Sequence, residues 1–457
     1  MINWIRRVIN NLFAKQDIKD ALNIDVAISE DMDEAISLWS DMYEDRAYWI
    51  DNANTHSLNL PSSIANEISR LVTLEVRTEV IENEKLNEAY QNVVEDLKEI
   101  TEYAAAKGGL MLKPYLDGDR VLVDYVQAGM FFPTEYDSSG EITGCIFIDR
   151  RRVGSNIYTR LENHEMLEGG YKVSHHAYKS MIGDEESLGS RVPLTEVRYW
   201  ADLEEEIFLK GVEIPLFSYF KIPLANTIDS KSPLGTSVFA RAANLIREAD
   251  KQYSRILWEY EGSELAINAS GDLFKGDGTI PVNKERLYRK LDTDSEDFFE
   301  EWAPSIRDES LYNGLNKLLQ RIEFASGLAY GTLSDVQLIS KTATEVKASK
   351  QRTYSTVLDI QKSLERALVK MVDIFIIWSD LANLGYGNDP EISFEWDDSV
   401  VVDMDEEYSL MLREISAGIL KPEYYLQRRY GIPEEEALKL LPDDYYQDEA
   451  EEDWGEL

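Results

Sequence analysis

One cysteine, four histidines and 47 basic residues against 86 acidic ones are the scarcities of this 457-residue chain. With Cys145 alone, no intramolecular disulfide can form, and nothing suggests an oxidising compartment. Cys145 lies in an apolar strand-like run, so it reads as a core thiol rather than a nucleophile. His56, His164, His175 and His176 stand in no metal-ligand spacing: His164-Glu165 lacks the second histidine of H-E-x-x-H, and His175 and His176 alternate across a strand. No G-x-x-x-x-G-K-[ST] occurs and no G-x-G-x-x-G follows a strand, which removes the common phosphate cradles. Acids are so numerous that carboxylate pairs arise by chance. Enzyme chemistry therefore has no positive support, and no cofactor is implied.

Long apolar runs are also missing. The most apolar stretch, 367–378, is too short to span a bilayer and carries Lys370 and Asp373. The first 13 residues are amphipathic but lack the h-region and cleavage site of a signal peptide. The expectation is a soluble protein made in a cytoplasm, with no membrane partner. A hydrophobic content of 44% and 25 tyrosines exclude a disordered chain, and the length suggests about three domains. The net charge of −39 disfavours wrapping or gripping nucleic acid through a basic surface. Solubility through self-repulsion accounts for such a charge; the sharper reading is a surface that stays near a polyanion without sticking to it.

Periodicity divides the chain. Residues 1 to about 107 read mainly helical, with helices expected over 31–49, 62–80 and 83–106. From Gly108 the period becomes two: 110–115 and 120–126 flank Asp117-Gly118 as a hairpin, 130–136 and 142–148 repeat the pattern, and 156–165 and 170–178 extend a meander. Ser232-Pro233 then precedes a helix expected from Thr236 to Tyr260, with Val238, Ala242, Leu245, Ile246, Ala249, Tyr253, Ile256 and Leu257 on one broad face. Residues 262–304, with four glycines and two prolines, read as a small αβ excursion before a second helix over 307–326. After Gly385, residues 391–396 read as a strand and 404–441 as a helical module with turns at Lys421-Pro422 and 430–433. The last 15 residues hold eight carboxylates and no base, a solvated tail. The fold class is α+β.

The most distinctive element begins at Gly327. A short loop, unusually apolar at Tyr330, Leu333, Val336, Leu338 and Ile339, leads to Thr342-Ala-Thr-Glu345, a capping-box pair. Neither proline nor glycine follows until Gly385, so a helix of about 42 residues spanning roughly 60 Å is expected. Such a rod needs a large partner or an oligomer to lie against.

This order of elements resembles the portal protein of tailed bacteriophages, of the type found in siphophages of Gram-positive hosts. The resemblance is carried by Ser232-Pro-Leu-Gly-Thr-Ser-Val-Phe-Ala240, Phe324-Ala-Ser-Gly-Leu-Ala-Tyr-Gly-Thr-Leu-Ser334, Lys341-Thr-Ala-Thr-Glu-Val346 and Gly109-Leu-Met-Leu-Lys-Pro-Tyr115 with its hairpin. It implies a portal fold: a wing from 1–235 and 342–401 with a long kinked helix, stem helices at 236–262 and 307–326, a clip at 263–306, a tunnel loop at 327–341 and a small crown at 402–457. It also implies a ring, usually of twelve subunits, at one capsid vertex of the virion, through which double-stranded DNA is packaged and ejected. The implied partners are the terminase large subunit, the head-tail adaptor, and the major capsid and scaffolding proteins. Weak DNA contacts would fall to Arg247, Lys251 and Arg255 on the first stem helix and Lys317 and Arg321 on the second. In the loop they would fall to Tyr330, Leu333, Val336, Gln337, Leu338, Ile339 and Lys341. Phe298, Phe299 and Trp302 would anchor clip partners. The alternatives are another capsid-associated adaptor or scaffold, and an acidic α+β enzyme.

Overall fold

The N-terminal helices are set by caps and apolar spacing. In α1 (Glu30–Tyr43) the Ser29 hydroxyl accepts from the Met32 amide at 3.3 Å, with Glu30, Asp31 and Asp33 in the positively polarised first turn. Met32, Ile36 and Trp39 are buried at helical spacing. Residues 18–19, 21–51, 53–182, 187–263, 266–270, 288–291, 299–302, 305–335, 343–387, 390–396 and 404–441 are described by this computed structural model, and the chain divides into two compact units, 1–395 and 396–457.

In the first unit, α2 (Leu60–Val72) starts on Pro61 and buries Ile64, Ile68 and Val72 completely. It stops short of the expected Val80. Residues Arg77–Ile81 form β1, which pairs antiparallel with β14 (Glu391–Glu395), and the alternation of buried Thr78 and Val80 with exposed Arg77, Glu79 and Ile81 is strand period. The helix expected over 83–106 is two, α3 (Glu84–Glu95, capped by the Asn83 side chain) and α4 (Leu97–Lys107), broken at Asp96.

The expected meander is present. β2 (Gly109–Asp117) and β3 (Arg120–Gln127) form a hairpin, and β10 (Ser218–Lys221) pairs with the other edge of β2. The strands β4 (Phe131–Tyr136), β5 (Ile142–Val153), β6 (Asn156–Leu167), β7 (Gly170–Met181) and β8 (Ser190–Val192) build an antiparallel sheet in chain order, with β9 (Glu206–Lys210) also on β7. Cys145 is fully buried in β5, between Pro133 and His164 on the flanking strands.

The run Ser232–Ala240 meets the chain just ahead of the Gly109–Tyr115 run. Gly108, at φ +90°, ends α4, and a Cβ there would lie 2.5 Å from the carbonyl oxygen of Gly235. A Cβ on Gly235 would lie 2.1 Å from that of Gly108. Backbones cross this closely only where both residues lack a side chain. Around the crossing, Val238 N–H donates to Ala105 O at 3.0 Å, Lys221 Nζ to Pro233 O at 2.8 Å and Gly235 N–H to the Tyr219 hydroxyl at 3.1 Å. These bonds hold 233–238 off the helical path. The helix expected from Thr236 therefore begins as a short 3-10 turn at Ala240 and becomes α5 only at Ala243 (Ala243–Gly262).

Between α5 and α6 (Asp308–Ala325) lies a three-stranded sheet of β11 (Ala266–Ser270), β12 (Tyr288–Leu291) and β13 (Phe299–Trp302), with β11 central, parallel to β12 and antiparallel to β13. The expected rod is α7 (Ala343–Ala382), one unbroken helix of 40 residues. It buries Val357, Ile360, Leu364, Leu368, Met371 and Phe375. It is bonded to the β10-β2-β3 sheet: Ser363 Oγ donates to Lys221 O at 2.6 Å, Ser218 Oγ to Ala367 O at 2.8 Å and Trp378 Nε1 to Pro114 O at 3.0 Å. Ile374 adds to the apolar cluster of Tyr171, Val173, Val212 and Leu216 beside the larger sheet. Thr342 of the expected capping box lies outside the described residues.

The second unit holds α8 (Met404–Ser416), α9 (Pro422–Tyr430) and α10 (Glu434–Leu440), with turns where expected. Tyr408 and Tyr425 meet edge-on, and the Arg429 guanidinium lies 5.6 to 5.7 Å from the rings of Tyr408, Tyr425 and Tyr430. Among the described residues no helix is long and apolar enough to cross a membrane.

Candidate functional site

The helices α5 and α6 form an antiparallel pair. Arg307, at the N-cap of α6, places Nε and a terminal nitrogen on the two oxygens of Glu259 at 3.0 and 2.8 Å, and Gln252 Nε2 reaches Leu311 O at 3.4 Å. Ile246, Ala249 and Ile256 on α5 and Leu315 and Ile322 on α6 are buried.

The cations expected on these helices divide into two groups. Arg247 donates to the Tyr48 hydroxyl at 3.2 Å and lies 3.4 Å from Glu248, which also takes Lys251 at 2.9 Å. Arg255, Lys317 and Arg321 are exposed and have no ion pair among the described residues. Helical spacing aligns Lys251 and Arg255 with Trp258, and Lys317 and Arg321 with Phe324. Both aromatics are largely exposed, at 67% and 56%. The Arg352 guanidinium of α7 lies 4.2 Å from the Phe324 ring centre.

Each helix also carries a buried acid that sequence reading passes over. Asp250 accepts from Trp49 Nε1 and from the Leu58 amide, both at 2.9 Å, while Ser254 accepts from the His56 amide at 2.8 Å. Trp49, His56 and Leu58 are thereby strapped to α5, and burial raises the Asp250 carboxyl above its ordinary range. On α6, Glu323 is wholly buried. Its Oε1 accepts from the amides of Gly331, Leu333 and Ser334 at 3.1, 2.6 and 2.8 Å, and its Oε2 from the Ser334 hydroxyl at 2.9 Å. Asn316, also buried, accepts the Asp335 amide at 2.7 Å. The only signal in the sequence is a polar residue set inside a helix's apolar stripe, beside Leu315 and Ile322.

Of the loop residues named above, Tyr330 and Leu333 are half-buried in this anchored stretch. Val336, Gln337, Leu338, Ile339 and Lys341 lie outside the described residues, as does Phe298. Phe299 and Trp302 stand at the two ends of β13, opposite Ala269 and Ala266.

A second unforeseen cluster joins the β10-β2-β3 sheet to the sheet that holds β6. Lys113 of β2 places Nζ 3.0 Å from both oxygens of Glu162 on β6, and Arg160 adds a contact at 3.0 Å. His164 Nε2 donates to Glu162 at 2.7 Å, and its Nδ1 is 2.9 Å from the Tyr171 hydroxyl. Arg160, a donor only, lies 3.5 Å from His175 Nδ1, which must then be the acceptor. Burial works against every charge here. It pushes His164 down, and His175 to about 4. For Glu162 burial opposes the charge, but Lys113, His164 and Arg160 together hold the carboxyl well below its usual range. Burial also raises the Cys145 thiol well above normal. Among the described residues no group of His, Cys, Asp and Glu could hold a metal ion.

The described residues form a mixed helix-and-strand fold in which an antiparallel helix pair, an anchored loop and a 40-residue helix follow one another along the chain. The family model described as "Phage portal protein, SPP1 Gp6-like" matches residues 50–450, and the chain belongs to that family. No curated protein matches it. The family is a structural one, and the chain is a bacteriophage capsid protein of DNA packaging.

Proposed function

We propose that the protein assembles into a ring, of twelve subunits by family analogy, at one vertex of the capsid, and that DNA enters and leaves through the ring. The family match over 50–450 carries this reading. In it, 1–235 and 342–401 serve as wing, α5 and α6 as stem, 263–306 as clip, 327–341 as tunnel loop and 402–457 as crown. The clip, with Phe298, Phe299 and Trp302, meets the terminase large subunit and then the head-tail adaptor, while the outer parts meet the major capsid and scaffolding proteins. A chain with so few bases suits a conduit, because each cation paired to a phosphate raises affinity and a channel must let DNA slide. Arg255, Lys317 and Arg321 are the stem cations best placed for brief phosphate contacts, since Arg247 and Lys251 are engaged by Tyr48 and Glu248.

Electron microscopy of the purified protein, with mass photometry on the same sample, tests the reading. Turbine-shaped rings with a central hole are expected, and top views give the copy number. A compact monomer that forms no ring even with capsid and scaffolding proteins would overturn it.

A further inference from the structure

The chain that leaves α6 does not simply project away. Ser326 caps the helix and Gly327, at φ +76°, reverses the backbone, so that the Leu328 amide returns to the Glu323 carbonyl at 2.8 Å and the Gly327 amide to Phe324 O at 3.4 Å. The Tyr330 amide is 3.2 Å from Ser349 Oγ on α7, and Thr332 N–H donates to Ala329 O at 3.3 Å. Gly331, Leu333 and Ser334 then close on the Glu323 side chain, and Asp335 on Asn316. Seven residues separate Asn316 from Glu323, about 10 Å along a helix. The segment therefore doubles back along α6 for two turns, and nearly every amide from 327 to 335 has a named acceptor.

The geometry points to Glu323, with Asn316 beside it, as the positioning residue of the channel loop. One buried carboxylate gathers three amides and a hydroxyl, and so fixes where and in which direction the loop leaves the stem. A carboxylate suits this task better than a neutral acceptor, because its hydrogen bonds are the stronger kind and two oxygens can serve four donors. The loop's role toward DNA rests on the portal reading; the clamp itself does not.

Hydrogen–deuterium exchange on the full chain, as rings and as unassembled subunits, tests the clamp directly. In Glu323→Ala the amides of Gly331, Leu333 and Ser334 should exchange about tenfold faster or more, with the sheet strands unchanged. Glu323→Gln, which keeps one oxygen acceptor, should fall between and is the variant to rely on if the alanine protein does not fold. Asn316→Ala should release the Asp335 amide alone. Unchanged exchange at 331–335 in a folded Glu323→Gln or Asn316→Ala protein would overturn the clamp. The positioning role is read separately, by packaging DNA into particles that carry variant rings. Rings of normal shape that package or retain DNA at least tenfold less well, partly restored by the glutamine variant, are expected. Wild-type packaging by Glu323→Ala rings would overturn the role, and wild-type protein that forms no ring even with capsid and scaffolding proteins would overturn the portal reading instead.

Discussion

At the scale of single residues, the boldest commitment is the ionic cluster around Glu162. Two charges held out of water tolerate each other only as a set, since removing one partner strands the other. Lys113→Met should therefore cost about 3–5 kcal/mol in denaturant unfolding, far more than the loss of an exposed lysine. Acid should attack the same place. His175 is neutral in the fold, pushed from an ordinary 6.5 to about 4. A depressed histidine contributes stability that is intact above the unfolded value and is lost as pH falls from 6.5 towards 4, an effect of about 3 kcal/mol. Glu162 adds to the loss, because its lowered carboxyl gives up stability as pH drops below the ordinary value of 4.5. Unfolding free energy measured between pH 7 and 4 should decline, and His175→Asn should flatten the upper part of that decline. A pH-independent wild type would refute this account.

At the scale of elements, the Gly108–Gly235 crossing joins α4, the β10-β2-β3 sheet and the segment leading into α5. Gly235→Ala would drive a methyl into the Gly108 carbonyl, and a backbone atom cannot rotate aside. We expect a loss of about 3 kcal/mol in thermal or denaturant unfolding. Gly140→Ala is the control, because a Cβ there meets nothing within 4 Å and bears only the strain of its positive φ. The crossing places the Ser232–Ala240 run against Gly108, the residue immediately before the Gly109–Tyr115 strand. Helices announced by long apolar stripes or by an absence of glycine and proline, such as α6 and α7, were legible, as was the hairpin flagged by Asp117-Gly118. β1 was not, because its partner β14 lies 310 positions away and five alternating residues after a helix look like its last turns. Glu323 was invisible for the same kind of reason. An acid on a helix reads as solvated until the loop that buries it has been folded over it.

At the scale of the whole molecule, charge governs. Each subunit carries −39, so a ring of twelve would hold roughly −470 and resist its own assembly. Salt shortens that repulsion to about 10 Å at 0.1 M and about 3 Å at 1 M. Mass photometry should accordingly find rings at lower protein concentration as salt rises. Rings that dissolve in salt would mean that ion pairs between subunits, not apolar contact, hold the assembly. The sequence disclosed the total charge but not its distribution: nothing in the order of residues says that Glu248 occupies both Arg247 and Lys251 while Arg255 stays exposed.

The burial of Cys145 has a practical consequence. The chain's single thiol is sealed inside a sheet and held in its unreactive, protonated form. The wild-type protein thus already behaves as a thiol-silent background for maleimide chemistry. A cysteine introduced at an exposed position such as Lys317 or Arg255 would carry one fluorophore or spin label per subunit, and distances across a ring could be followed during DNA passage without first rebuilding the core.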